Sequence, residues 1–479
     1  MGKISRKNMI KKYQVFTPRD SVKELLNSVG YCKNIVDKKI LENSCGDGNI
    51  LVEIVKRYIK EAIKLKYSKK KIKAGLENNI YGFEIDEVHF KKCIHNLDII
   101  IRKKGIQNVK WRIYNEDYLR SKIKVQFDFI VGNPPYITYS ELSLTERVFL
   151  KKTYETCKQG KFDYCYAFIE HSINSLSNKG RMAYLIPSSI FKTVFGKKLR
   201  SFMQPYIVQI KDYTKEQIFD DVLVKSAIVV IDKKANSKKF HYLDMSSTDK
   251  ISLSKIKMNE KWFFSNELNI GSKRFGDYFR VSHVVATLLN KAYVIDENDY
   301  DEIDNYYRIG DINIEKTIVM PTATPRTMRY GKVEKIIFPY QYIDNQLVKF
   351  EEEEFEHLYP GAFTYLSQFK SKLIERKSDK NAKWFEYGRT QALSNINCKK
   401  LLVSTIITDK IYVYELMKEC VPYAGMYISI KKNNKVYDLA FARKILEEKS
   451  FMDYVKRTGI NISGNSLRIT SKDIENYRF

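Results

Sequence analysis

Along the first half of the chain the apolar residues fall in short, bounded runs separated by longer amphipathic stretches. The runs are Lys39–Glu42, Ile80–Glu84, Val109–Tyr114, Phe127–Val131, Met182–Ile186 and Ser226–Ile231, and each reads as a strand. Between them Asn49–Lys66 and Phe162–Leu176 read as helices. Alternation of this kind predicts an α/β unit, a mostly parallel sheet with helices on both faces. The polar stretch Asp232–Lys239 then reads as a connector. Beyond it the rhythm is lost, replaced by acidic patches (Asp296–Asp304 and Glu351–Glu354), short β-like segments and a helix over Ala362–Arg376. The pattern predicts two domains, 1–240 and 241–479, the second of α+β type.

Composition narrows the partners. The 479 residues carry 84 Lys and Arg against 57 Asp and Glu, a net charge of +27. Such a charge fits a polyanion, nucleic acid foremost, although a solvated lysine-rich surface gives the same number. The 34 Tyr and 26 Phe favour nucleic acid, because unstacked bases rest on planar side chains. No apolar run approaches the ~18 residues of a membrane span, so no membrane partner is expected. The basic start, Met1 to Arg6, lacks an apolar stretch behind it and does not read as a secretory leader. Seven Cys with no CxxC pair fit reduced thiols in a cytoplasmic protein. With six His and no HExxH, no metal site is expected.

The first stretch with chemistry in it runs from Ile40 to Leu51. A strand ends on Glu42, a tight loop with Gly46 and Gly48 follows, and a helix begins. Glycines there let the backbone approach a ligand, and the carboxylate can accept from a hydroxyl or amine. Glu84 ends the next strand and is placed to hold a ribose diol. After the third, Asp117 can accept from an adenine amino group while Tyr118 packs on the ring. Any one of these acids is equally a helix cap or a solvated strand end. Three at successive strand ends converge on the crevice where such folds bind ligands, and point to an adenosine-bearing cofactor. No GxxxxGK[ST] phosphate loop is present.

The fourth run leads into Asn133-Pro134-Pro135-Tyr136. Two prolines fix the backbone and remove two N–H donors, leaving carbonyls as acceptors. Asn133 adds a side-chain carbonyl and Tyr136 a ring. Two acceptors on one exocyclic amine can draw its nitrogen toward sp³ and ready the lone pair for attack on an electrophilic methyl. Positioning carries such a step, and no strong base is needed. The alternative is a proline turn that caps a strand.

Together these motifs resemble the gamma class of N6-adenine DNA methyltransferases, the TaqI-like and Eco57I-like enzymes. The resemblance covers about residues 11 to 235 and implies a Rossmann-like domain that uses S-adenosylmethionine. Tyr13-Gln14-Val15-Phe16-Thr17-Pro18 matches the family's leading motif, with Thr17 in the contacting position. Glu42, Gly46 and Gly48 match the cofactor loop, Glu84 the ribose acid, Asp117 the adenine acid, and Asn133 to Tyr136 the catalytic motif. Asn43 departs from the pattern, standing where a proline is usual. The target base would be rotated out of the duplex and gripped by Tyr136 on one face. Phe219, before the last strand, falls in the family's stacking position for the other; a core phenylalanine is the alternative.

The C-terminal half is similar to that family's target-recognition domain, in Ile337–Tyr340, Tyr359–Leu366 and Trp384–Arg389. Arg326, Arg329 and Arg389 are candidates to read guanine edges or clamp phosphate. Trp384 reads as a packing anchor, and Glu351–Glu354 as a face turned from DNA. The expected protein is a sequence-specific adenine-N6 methyltransferase of double-stranded DNA, probed against a second reading: methylation of RNA amino groups or protein glutamine. A monomer is expected, without cleavage activity of its own, either a solitary methylase or the modification enzyme of a restriction-modification system whose endonuclease is a separate protein.

Overall fold

The structure, a computed structural model, describes residues 17–214, 225–247, 249–255, 261–264, 271–462 and 465–479. The chain divides into two compact units, Met1–Asn266 and Glu267–Phe479. The first is built on nine strands: β1 (Ile40–Glu42), β2 (Ile80–Phe83), β3 (Arg112–Tyr114), β4 (Phe127–Gly132), β5 (Leu176–Pro187), β6 (Ile207–Asp212), β7 (Ser226–Asp232), β8 (Lys239–Asp244) and β9 (Asp249–Ser254). They form one sheet in the order β3-β2-β1-β4-β5-β7-β6-β8-β9. β3, β2, β1, β4 and β5 are parallel neighbours, and β7 is antiparallel to both β5 and β6.

Two features lay outside the sequence pattern. The polar stretch after β7 is a turn within the sheet, because β8 then pairs with β6 and β9 with β8. The unit therefore runs past the boundary expected at 240. Strand β6, with half-exposed positions between its buried ones, also lacks a long apolar run.

A parallel sheet must be covered on both faces, and the strands show it residue by residue. Ile40, Ile80, Val131, Ala183, Leu185, Ile228 and Val230 pack into one core. That core is closed by α1 (Arg19–Val29), α2 (Asn49–Lys64), α3 (Lys69–Asn79) and α4 (Glu87–Arg102). Their neighbours Leu41, Tyr81, Ile130, Met182, Tyr184, Ile186, Ala227, Val229 and Ile231 fill the other. It is closed by α5 (Leu144–Thr153), α6 (Cys165–Ser175) and α7 (Lys197–Met203). Adjacent residues facing opposite cores leave no solvent face, which is why these strands read as continuous apolar runs. In register, Glu42 lies beside Gly82 and Val131, and Gly132 beside Tyr184. The C-terminal ends of β1, β2, β4 and β5 thus finish along one edge.

The second unit is α+β. An antiparallel sheet in the order 279–283, 426–430, 400–403, 413–416 shares a core with Leu439–Glu447 and Lys449–Thr458. A second core is rich in aromatics, with Tyr293, Phe338, Tyr340, Phe355, Phe385 and Tyr387. The helix expected over 362–376 is two helices, Pro360–Ser367 and Lys370–Ile374. They part at Phe369, whose ψ of 3° leaves the helical region.

Candidate active site

Strand β1 is buried along its length and delivers Glu42 to the sheet edge with 2% of its surface exposed. Burial pushes its carboxyl well above the ordinary range, and a hydrogen bond from the Leu51 backbone opposes this only in part. Its Oε2 has no hydrogen-bond partner among the described residues. A buried carboxylate oxygen without a donor is costly unless something fills the place.

The loop after it turns sharply. Gly48 has φ +89°, and a Cβ there would lie 2.8 Å from Cys93 Sγ, so only glycine fits. Gly46, at φ +52°, donates its N–H to Glu84 Oε2 at 2.8 Å. Glu84 Oε1 accepts from Asp86 N at 2.8 Å, and burial again raises the carboxyl. Asn115 Nδ2 donates to the Glu84 backbone carbonyl at 2.8 Å, tying the end of β3 to the end of β2.

Asp117 accepts from Leu119 N at 3.0 Å and faces Arg120 Nε at 3.1 Å, so it caps the short turn Tyr118–Arg120. Tyr118 is 4% exposed. Its ring is enclosed by Phe83, Phe168 and His171, and its hydroxyl lies 3.1 Å from Ser172 Oγ. The ring expected to lie on an adenine is thus packed against three aromatic neighbours.

At the end of β4, Asn133 is half-buried and its main-chain carbonyl accepts from Ser44 Oγ at 3.1 Å. Pro134 is buried, and Tyr136 is half-buried with a hydroxyl pushed upward by burial. Ile137 O accepts from Tyr164 N at 2.9 Å, which fixes the exit of the tetrapeptide against the start of α6. Hydrogen bonds thus join Asn133, the glycine loop and Glu84, with Glu42 at the root of the loop. Thr17 is buried directly before α1. Tyr13 to Phe16 and Phe219 lie outside the described residues.

Four participants were not among the candidate site residues. Asn43, 2% exposed, donates its amide to Ser172 Oγ at 2.9 Å and to the Tyr184 hydroxyl. Ser172 and Tyr184 are themselves 2.6 Å apart. Where a proline would stiffen the loop by its ring, this chain anchors it by a buried amide. Ser44 is the fourth. A polar residue inside an otherwise apolar helix or strand, as Ser172 and Tyr184 are, was the one clue available.

In the second unit, Arg326 and Arg329 are exposed on the helical turn Pro325–Tyr330 rather than in a loop. The Arg329 guanidinium lies 4.9 Å over the Tyr412 ring. Arg389 is exposed, pairs with Asp379 at 3.0 Å and bonds the Gly388 carbonyl at 3.3 Å. Trp384 Nε1 donates to Glu352 at 2.7 Å while its ring packs on Phe363 and Phe385. Among the described residues there is no cluster of three His, Cys, Asp or Glu suited to a metal, and no helix long and apolar enough to cross a membrane.

Strand order 3-2-1-4-5-7-6 with an antiparallel seventh strand, and buried acids along one edge, define a class I S-adenosylmethionine-dependent methyltransferase fold. Residues 49–219 match the family described as Eco57I restriction-modification methylase. It is 24% identical to the type II restriction enzyme and methyltransferase RM.Eco57I of Escherichia coli, over 91% of this chain and 53% of that protein. It is 22% identical to the type II methyltransferase M.HincII of Haemophilus influenzae, over 97% of this chain and 88% of that one. The chain thus spans about half the length of the Escherichia coli relative. Among solved structures, the type IIL restriction-modification enzyme MmeI in complex with DNA superposes with a TM-score of 0.60 at 12% identity, covering 98% of this chain and 67% of that one. A nuclease-deletion mutant of the type ISP enzyme LlaGI gives 0.57 at 14%, covering 92% and 51%. These two show the fold.

Proposed function

We propose that this chain is a sequence-specific DNA methyltransferase that acts on the N6 amino group of an adenine rotated out of the duplex. The observation that carries the reading is Asn133, held at the end of β4 by the same loop that reaches Glu84. The residues suit S-adenosylmethionine: Glu42 has a buried oxygen awaiting a donor, and Gly46 and Gly48 take the positive φ of a tight loop beside it. When bound, that cofactor supplies an electrophilic methyl group.

The chain's own residues do the rest. Glu42 and the loop glycines orient the amino-acid portion, Glu84 accepts from the ribose hydroxyls, and Asp117 receives the adenine amino group. Thr17 closes the pocket from the N-terminal side. The Asn133 side-chain carbonyl and a carbonyl of the proline pair take the two hydrogens of the target amine. Tyr136 and Phe219 grip the base, and burial keeps the Tyr136 hydroxyl protonated at working pH. The second unit reads the site, with Arg326 and Arg329 the leading contacts. A monomeric intracellular enzyme, either solitary or paired with a separate cognate endonuclease, completes the reading.

The names of the relatives favour DNA over RNA amino groups or protein glutamine as substrate. Methylation-aware sequencing of DNA from a methylation-free host that expresses the protein tests this. N6-methyladenine at one recurring site is expected. Unmodified DNA, with labelled methyl recovered in RNA or protein in parallel assays, would overturn it.

A further inference from the structure

We propose that Ser44 is a positioning residue that couples the state of the cofactor pocket to the geometry of the catalytic tetrapeptide. The inference rests on the methyltransferase reading above. It begins with what two prolines take away. Neither Pro134 nor Pro135 has an N–H, so the backbone there cannot be tied down through its own donors. A donor from elsewhere must hold it by a carbonyl. Ser44 Oγ is that donor, bonded to the Asn133 carbonyl at 3.1 Å. That carbonyl belongs to the peptide joining Asn133 to Pro134, so holding it sets the plane from which both proposed acceptors project.

Ser44 is itself held from both sides. Before it, the Asn43 amide is anchored to Ser172 and Tyr184 on α6 and β5. After it, Cys45 N donates to the Phe83 carbonyl at 2.9 Å and Gly46 N to Glu84 Oε2 at 2.8 Å. Three consecutive residues of one loop therefore reach the tetrapeptide, the backbone of β2 and the ribose carboxylate. When ribose hydroxyls engage Glu84, the pull on Gly46 reaches Asn133 through two residues of a tightly turned loop. Ser44 is half-buried, so its hydroxyl can be removed without opening a core.

The test uses the full-length chain with Ser44→Ala and Ser44→Thr. Single-turnover methyl transfer to duplex DNA should fall ~5- to 10-fold in the alanine variant, the scale of one neutral hydrogen bond. Cofactor affinity should stay within about twofold and the melting temperature should not move. Threonine keeps the hydroxyl and should restore most of the rate. A readout independent of turnover is the fluorescence of 2-aminopurine at the target position. In the wild type it should rise further when S-adenosylhomocysteine is added, and in Ser44→Ala that added rise should be lost. Wild-type transfer together with a wild-type fluorescence response in Ser44→Ala overturns the proposal, as does a threonine variant no faster than alanine. If Asn133→Ala is inactive while Ser44→Ala behaves normally, only this proposal fails. A wild-type protein that methylates no DNA amine overturns both.

Discussion

At the scale of single residues, two side chains bear the proposed chemistry most directly. Replacing Asn133 with alanine removes one acceptor for the target amine, and transfer should fall ~10²-fold or more while cofactor affinity is kept. Rapid-quench methylation beside a binding titration checks it; near-normal turnover would refute the role. Glu42 gives a pH signature. Burial raises its carboxyl above the ordinary value of 4.5, so between those two values the folded chain holds a proton that the unfolded chain has lost. Its contribution to stability is complete below that window and declines as pH rises through it. Binding of a cationic amino group needs the carboxylate, so cofactor affinity should loosen as pH falls through the raised value, with proton release on binding. Calorimetry in buffers of different ionisation enthalpy reads this, and Glu42→Gln should abolish it. Glu42, Gly46, Gly48, Glu84 and Asn133 were legible in the sequence because each sits where a strand stops, which is where linear order maps onto one edge. Ser172 and Tyr184 were not. They lie 129 and 141 residues from the Asn43 they bond, and nothing local marks that meeting.

At the scale of elements, the apolar runs located the central strands because a parallel strand is buried on both faces. The same rule hid β6, whose half-exposed positions interrupt its apolar pattern, and β8, where His241 is exposed and Tyr242 to Asp244 are half-buried. The turn between β1 and α2 offers the sharpest element-level test. Gly48→Ala meets both a positive φ and the Cys93 sulfur. It should lower stability by ~1–3 kcal/mol and weaken cofactor binding. Introduced beside Cys93→Ala it should cost less, because the steric contact is gone and only the backbone strain is left. Thermal unfolding of the four proteins checks this; an equal cost in both backgrounds would mean the sulfur plays no part.

At the scale of the whole molecule, a charge of +27 makes DNA affinity a function of salt. Each phosphate contact contributes about −0.9 to the slope of log affinity against log salt. Arg326→Ala should reduce that slope by about one, or relax the methylated site at one position if the side chain reads a base. Arg389→Ala should leave both untouched and lower the melting temperature instead, since its guanidinium holds Asp379. Filter binding over a salt series, with methylome sequencing of each variant, separates the outcomes. A changed site in Arg389→Ala would show that the ion pair opens on DNA.

The anchoring of the loop by Asn43 constrains how this sequence can change. Asn43→Pro alone would take the amide donor from the buried hydroxyls of Ser172 and Tyr184, which keep their bond to each other, a loss of ~0.5–1.5 kcal/mol for each hydrogen bond removed. Tyr184→Phe made first removes one of those hydroxyls and leaves Asn43 its bond to Ser172, but one buried Asn43 N–H loses its acceptor. Either single substitution therefore breaks buried hydrogen bonds that the pair removes together, so both paths cross a valley. A double-mutant cycle at positions 43 and 184 should be non-additive, the pair less destabilised than the sum of its parts. Relatives with proline in this loop and relatives with an amide there would then occupy separate ridges, joined only through changes on a helix and a strand far away in sequence.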